Sequence, residues 1–320
     1  MKFTIVIPTY NGSIYVEEAL LSAINQTRKP DAIIVSDDNS TDNTLEICSR
    51  YKDKITIYKN ENGPSGFVEG WNNAIQLVDD GYIAILHQDD LLAPTFLEEA
   101  EKALLSHPDV KHFFAPCNYI DDNGNVIREP TFCDGRIYRY TREEYIDAYI
   151  TIGEPHIHRC PGVVTHRSIF DVCKYRKEAG HIADDDFFYR VGQYTDVIGV
   201  MKPLASYREH PQSETEHLSA LTLVSRLAND YLFQLRECTQ EKHPYTELED
   251  YIRNNAINFV YLQLVYALKE FNREGIKEAL SSKNQLKHLG LKMPIAKDLL
   301  YVVHRMLGNH IMHKIVNILK

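Results

Sequence analysis

Three clusters of acids fall at or just past the ends of stretches that read as buried strands, where side chains can act on a bound ligand. The first is Ile33-Ile34-Val35-Ser36-Asp37-Asp38-Asn39-Ser40-Thr41-Asp42. A carboxylate at Asp37 can accept from the N3–H of uracil or thymine, or from ribose hydroxyls. Asp38, Asn39, Ser40 and Asp42 read better as turn and cap residues. The second cluster is Ile85-Leu86-His87-Gln88-Asp89-Asp90. Adjacent carboxylates repel, so a cation beside them is favoured, and oxygen ligands at a diphosphate suit Mg2+ or Mn2+. The competing reading is an exposed acidic turn. The third, Ala183-Asp184-Asp185-Asp186-Phe187-Phe188-Tyr189-Arg190, sets three acids ahead of a helix. There they either complement the helix dipole or supply a general base for an acceptor hydroxyl. Downstream, in Tyr207-Arg208-Glu209-His210, Arg208 is a candidate phosphate partner and His210 a candidate third metal ligand. Structural roles compete for both.

These clusters need elements to carry them. Phe3–Ile7, Ile33–Ser36, Ile55–Tyr58 and Ile83–Leu86 are short Ile- and Val-rich runs that read as buried strands. Tyr15–Asn25, Thr41–Tyr51, Phe67–Val78 and Thr95–Leu105 have helical spacing, with Ser13 and Ser40 placed as N-caps. That alternation predicts an α/β domain with a largely parallel central sheet. Beyond residue 110, Tyr119–Ile127 reads as a hairpin turning at Asn123-Gly124, followed by a loop-rich stretch over 129–162. Then come a strand near Gly162–Thr165, a helix near Phe187–Gln193 and a strand near Val197–Val200. From about Glu214 the chain reads as helical, over Leu218–Arg236, Glu247–Phe271 and Ile295–Leu319. The expected division is an α/β body over 1–213 and a helical region over 214–320.

Composition narrows the function. With 320 residues and 44% hydrophobic content the chain can bury a large core, and 25% charged residues argue against disorder. A net charge of −10 excludes general nucleic-acid binding. From Lys283 to Lys320 there are seven basic residues and one acid, Asp298, so this basic, apolar-rich tail suits an anionic membrane surface. Its helical spacing, with Leu299, Leu300, Val303, Met306 and Leu307 on one stripe, also suits subunit association or packing on the body. The six cysteines make no CxxC pair, so neither a zinc site nor a disulfide framework is expected. Met1-Lys2-Phe3-Thr4 leads into Ile5-Val6-Ile7 without a signal-peptide layout, and no apolar run reaches about 18 residues. A cytoplasmic protein, with peripheral contact at the inner face of the membrane as an option, is the expectation.

Taken in order, the clusters resemble the family 2 glycosyltransferases, the inverting group with the GT-A fold. The matching pieces are Ile7-Pro8-Thr9-Tyr10-Asn11, Asp37-Asp38-Asn39-Ser40-Thr41-Asp42, Asn62-x-Gly and Trp71-Asn72-Asn73-Ala74. They continue with Leu86-His87-Gln88-Asp89-Asp90, Asp184 ahead of Phe187-Phe188-Tyr189-Arg190, and Tyr207-Arg208-x-His210-x-x-Ser213. The resemblance implies that Pro8, Thr9, Tyr10, Asn11 and Asp37 hold the nucleoside, with Asp89 close to the nucleotide. It implies a metal-and-diphosphate corner at Asp89 and Asp90 with His210, phosphate contacts at Arg208 and Asn72, and Asp184 as base. Two positions depart from the family pattern: His87 stands where the first acid of Asp-x-Asp is usual, and Ala183 where Glu is common. Metal contact then rests on Asp89 and Asp90, and Asp185 stays a second candidate base. The implied partners are a nucleoside-diphosphate sugar, UDP- or dTDP-linked, and a glycan or lipid-linked saccharide acceptor of surface polysaccharide synthesis. A non-catalytic nucleotide-sugar binding protein of the same fold remains the alternative. A sugar nucleotidyltransferase fits less well, because Pro8-Thr9-Tyr10-Asn11-Gly12-Ser13 lacks the basic residues that hold a triphosphate.

Overall fold

The computed structural model describes residues 1–151, 157–213, 218–240, 245–294, 297–298 and 300–301. Two compact units emerge: Met1–Lys177 with Asp184–His210, and Glu178–Ala183 with the described residues from Pro211 onward.

The strands of the first unit are β1 (Phe3–Thr9), β2 (Ala32–Asp37), β3 (Thr56–Lys59), β4 (Tyr82–Ile85), β5 (Leu91–Leu92), β6 (His112–Phe114), β7 (Cys117–Ile120), β8 (Val126–Arg128), β9 (Ile137–Tyr140), β10 (Val163–His166), β11 (Val197–Val200) and β12 (Ala205–Arg208). Eight of them form one sheet in the order β3-β2-β1-β4-β10-β6-β11-β9, and a smaller sheet runs β5-β12-β7-β8. Pairing is parallel from β3 through β4 and between β6 and β11. Only β10 and β9 run against their neighbours in the large sheet. The sheet is therefore mostly parallel, as the strand–helix rhythm predicts. Helices α1 (Val16–Ile24), α2 (Thr44–Ser49), α3 (Phe67–Gln76), α4 (Phe96–Ser106), α5 (Arg142–Thr151) and α6 (Ala183–Val191) complete the unit.

Alternation along β1 sends Phe3, Ile5 and Ile7 into one core with Val16, Ala19 and Leu20 of α1 and Phe96, Leu97 and Ala100 of α4. Each fully buried large side chain there contributes about 1.5–3 kcal/mol. Helix α3 packs against β1 and β2. Because β1, β2 and β4 are parallel neighbours, the loops that leave them all open at one edge of the sheet. That edge carries the first two acid clusters.

The second unit contains α7 (Ala220–Cys238), α8 (Thr246–Lys269) and α9 (Arg273–His288). Ser219 caps α7 by accepting from Thr222 N at 3.2 Å, and Asn272 caps α9 by accepting from Gly275 N at 2.9 Å. Tyr231 of α7 stacks on Phe259 of α8 at 5.4 Å. Gly180, at φ 57° and ψ −125°, lies against Asp230 so closely that a Cβ would come within 2.2 Å of its Oδ1. Among the described residues no helix is long and apolar enough to cross a membrane.

Several expectations are corrected. Ser13 and Ser40 cap no helix: α1 and α2 begin after Tyr15 and Asn43 without a side-chain cap, and Ser40 Oγ donates to Asp37 instead. The β3 run is mostly exposed, as befits an edge strand, rather than buried. The stretch read as loop-rich holds β9 and α5, and α9 fills the interval after Phe271. Of the helix expected over 295–319, only residues 297, 298, 300 and 301 lie among those described.

Candidate active site

The site begins where β1 and β2 end. Asp37 is fully buried: its Oδ2 accepts from Thr9 Oγ1 at 3.0 Å and Ser40 Oγ at 2.6 Å, and its Oδ1 from Ser40 N at 2.9 Å. Asn11, at φ 48°, donates from its backbone N to Ser40 Oγ and accepts from Thr41 N through its own side chain. Gln88 clamps the next residue back: its Oε1 accepts from Tyr10 N at 2.9 Å and its Nε2 donates to Tyr10 O at 3.1 Å. Three loops are thus tied into one rim, from which the Tyr10 ring projects with 44% exposure. Asp37, the expected nucleoside contact, is thus held from within the protein through both carboxylate oxygens. Pro8 is half-buried and Thr9 buried beside it.

Beyond β4, ligand-type atoms of His87, Asp89 and Asp90 lie within 4.8 Å of one another. Arg208 N donates to Asp90 Oδ1 at 2.9 Å, Asp90 Oδ2 faces His87 Nδ1 at 3.5 Å, and the buried His87 Nε2 completes no hydrogen bond. Burial, opposed by the His87 hydrogen bond and reinforced by the Asp89 charge, pushes the Asp90 carboxyl up to about 6. Burial also acts on Asp89, but the hydrogen bond from His210 and the charges of His87 and His210 outweigh it and hold Asp89 below the usual range. Paired carboxylates with an imidazole beside them, and a buried His87 Nε2 that lacks a hydrogen bond, make a donor set that fits a divalent cation. His210, buried against Tyr15, reaches this corner through Asp89: its Nε2 is 3.0 Å from Asp89 Oδ2. The nitrogen grouped with the two acids is that of His87, a residue the sequence reading set aside as a departure. Trp71 stacks on it at 5.0 Å and 16°.

The two residues expected to contact phosphate, Arg208 and Asn72, both donate within the protein. Arg208 has no exposed side-chain surface, and its guanidinium donates to the carbonyls of Asp89, Asp121 and Asp122 and to the Glu18 carboxylate. Asn72 donates to Tyr175 O at 2.9 Å and so braces α3 rather than a ligand.

The third cluster opens α6. Asp186 is buried between Arg176 and Arg190, Asp185 is buried against Tyr149, and Asp184 is half-buried. Burial raises the Tyr207 phenol, and the charges of Asp90, Asp89 and Asp184 add to it. Arg159, whose Nε donates to Tyr119 Oη at 3.1 Å, acts on Tyr207 in the opposite sense. Neither Tyr207 nor Arg159 was assigned a role from sequence. Tyr207 flanks the Arg208–His210 motif, while nothing local marks Arg159.

The sheet order, the loops at its edge and the C-terminal helices define a GT-A glycosyltransferase. The chain belongs to the glycosyl transferase family 2, whose model matches residues 4–168. An uncharacterized glycosyltransferase of Rickettsia prowazekii is 26% identical over 241 residues, 75% of this chain and 73% of that protein. A GalNAc(5)-diNAcBac-PP-undecaprenol beta-1,3-glucosyltransferase of Campylobacter jejuni is 31% identical over 132 residues, 40% of this chain and 41% of its own. Among solved structures, S. aureus TarS 1–349 in complex with UDP-GlcNAc matches at a TM-score of 0.64 with 16% identity, over 99% of this chain and 90% of TarS 1–349. The mannosyltransferase PcManGT from Pyrobaculum calidifontis, in complex with GDP-Man and Mn2+, matches at 0.53 with 17% identity, over 99% and 84%. At such identities the likeness shows the fold.

Proposed function

We propose that this glycosyltransferase moves a sugar from a nucleoside diphosphate, UDP- or dTDP-linked, to an acceptor hydroxyl by a single inverting displacement. The acceptor is a glycan or lipid-linked saccharide, in line with the undecaprenol-linked acceptor in the Campylobacter relative's name. The observation that carries this reading is the grouping of His87, Asp89 and Asp90, whose ligand-type atoms lie within 4.8 Å of one another just beyond β4. Residues 1–213 carry the reaction, and the helical region after them serves subunit association or peripheral membrane contact. Pro8, Thr9, Tyr10 and Asn11 frame the nucleoside, with the exposed Tyr10 ring offered to the base. Asp89 and Asp90, with His87 beside them and His210 orienting Asp89, would hold Mn2+ or Mg2+. Such an ion offsets the charge that develops on a departing diphosphate. Asp184 takes the proton of the acceptor hydroxyl as its oxygen attacks the anomeric carbon.

A thermal-shift screen of UDP-, dTDP- and GDP-sugars, with Mn2+ or with EDTA, tests the reading, since a ligand specific to the native state stabilises it. The expected result is a rise with a uridine or thymidine nucleotide sugar that EDTA removes and Mn2+ or Mg2+ restores, together with transfer to a saccharide acceptor. No shift with any donor, or full activity in EDTA, would count against it. A second expectation concerns Gly12, where an added Cβ would meet Gln88 Oε1 at 2.1 Å. Gly12→Ala displaces the Gln88 amide from Tyr10 and should weaken nucleotide affinity about tenfold, about 1.4 kcal/mol. Calorimetric titration of the nucleotide measures it.

A further inference from the structure

Three consecutive acids on one helical turn cannot share a face, because each residue advances the helix by about 100°. At the start of α6 they are dealt with separately. Asp186 is 1% exposed and ion-paired to Arg176 and Arg190. Asp185 is 9% exposed, and its Oδ1 accepts from Tyr149 Oη at 2.6 Å. Asp184 is half-buried, and its Oδ1 accepts from Asp185 N at 3.0 Å. Tyr149 comes from α5, in the stretch that reads as loop from sequence. It is 1% exposed, with its ring against His158 at 5.2 Å and Phe188 at 5.7 Å. Burial, joined by the Asp185 charge, holds its phenol well above the usual range, so it stays a donor throughout the working pH range.

We propose that Tyr149 is a positioning residue for glycosyl transfer: its hydroxyl anchors the Asp185 side chain, and the backbone N of Asp185, held in place by that anchor, fixes the aim of Asp184 on the acceptor. This rests on the reading above, with Asp184 as base. Asp185 is then not a second base but the link through which α5 holds the first turn of α6. Without the phenol the buried Asp185 carboxylate loses one of its donors, and the first turn of α6, whose backbone N holds Asp184 Oδ1, is fixed less firmly.

A double-mutant cycle on the full chain tests this, with kcat, donor KM and the nucleotide-induced rise in Tm as readouts. Tyr149→Phe should lower kcat about tenfold while donor KM and the nucleotide-induced rise stay within about twofold. Asp185→Ala should cost about as much, and the double variant no more than Asp185→Ala alone, because one residue acts through the other. Asp185→Asn keeps an oxygen that can accept from the phenol, and should retain several-fold more activity than Asp185→Ala. Multiplying losses in the double variant would overturn the proposal, as would full kcat in Tyr149→Phe or a change confined to donor KM. If Tyr149→Phe does not fold, the two Asp185 variants decide, and equal losses overturn it. Failure of glycosyl transfer itself is distinguishable, because the unaltered chain would then transfer from no nucleoside-diphosphate sugar.

Discussion

Asp184→Asn is expected to lower kcat by about 10^3-fold while leaving donor binding intact, within the 10^2–10^4-fold that a positioned general base contributes. The substitution preserves shape and an oxygen able to accept from Asp185 N, but removes the lone pair that takes a proton. Among the described residues Asp184 makes no ion pair of the kind that buries Asp186, so little stability is at stake. Losing one negative charge from the first turn of α6 costs about 0.3–1 kcal/mol through the helix dipole. Single-turnover transfer measured beside the nucleotide-induced thermal shift separates the two effects. Lost turnover with an unchanged shift is the expected pattern. Full turnover would move the base elsewhere, with Asp185 next in line, and would also remove the ground for a positioning role of Tyr149.

How far the site was legible depends on how local each signal is. The parallel half of the large sheet follows from Ile- and Val-rich runs such as Phe3–Ile7 and Ile83–Leu86, because strands buried on both faces must be apolar throughout. The first two acid clusters are legible for the same reason, since a carboxylate directly after such a run must sit at the sheet edge, whereas the third opens α6. Side-chain partners are a different matter. Asp37 looks like a ligand contact by position, yet Thr9 and Ser40 claim both its oxygens, and only folding brings Thr9 beside it. His87 looks like a lost acid, but Trp71 stacks against it next to Asp89 and Asp90. Helix α5 escaped because its apolar residues follow no single stripe, although Tyr145, Ile146 and Tyr149 are all buried. Strand β6, with three residues, is too short to show a period, yet it pairs on both sides within the sheet.

Arg208 offers the largest expected loss of stability. As a phosphate ligand it would need free donors at the surface; instead Nε donates to Asp89 O at 2.8 Å, Nη1 to Asp121 O and Asp122 O at 3.0 and 3.1 Å, and Nη2 to Glu18 Oε2 at 2.7 Å. Its guanidinium also lies over the Tyr15 ring at 4.6 Å. Arg208→Met would keep the aliphatic volume but leave three carbonyls without this donor, at about 1–3 kcal/mol for each that stays buried. Glu18, whose side chain is about half exposed, can turn to water and adds little. A net loss of about 3–5 kcal/mol is expected, the range for breaking a buried ionic network. For a unit of this size that lowers Tm by roughly 10 °C. Arg208→Lys should recover only part of it, because one ammonium cannot span four acceptors in a plane. Thermal denaturation without nucleotide checks this directly, and donor KM measured below the lowered Tm supplies the contrast. A phosphate ligand would show the reverse pattern, an unchanged Tm with donor KM raised. The backbone N of Arg208, which holds Asp90 Oδ1, is untouched by either substitution, so the acid corner should keep Asp90 in place while the Asp89 carbonyl loosens. Weakened but measurable Mn2+ binding in the folded variant is the outcome that fits a guanidinium built to hold that corner together.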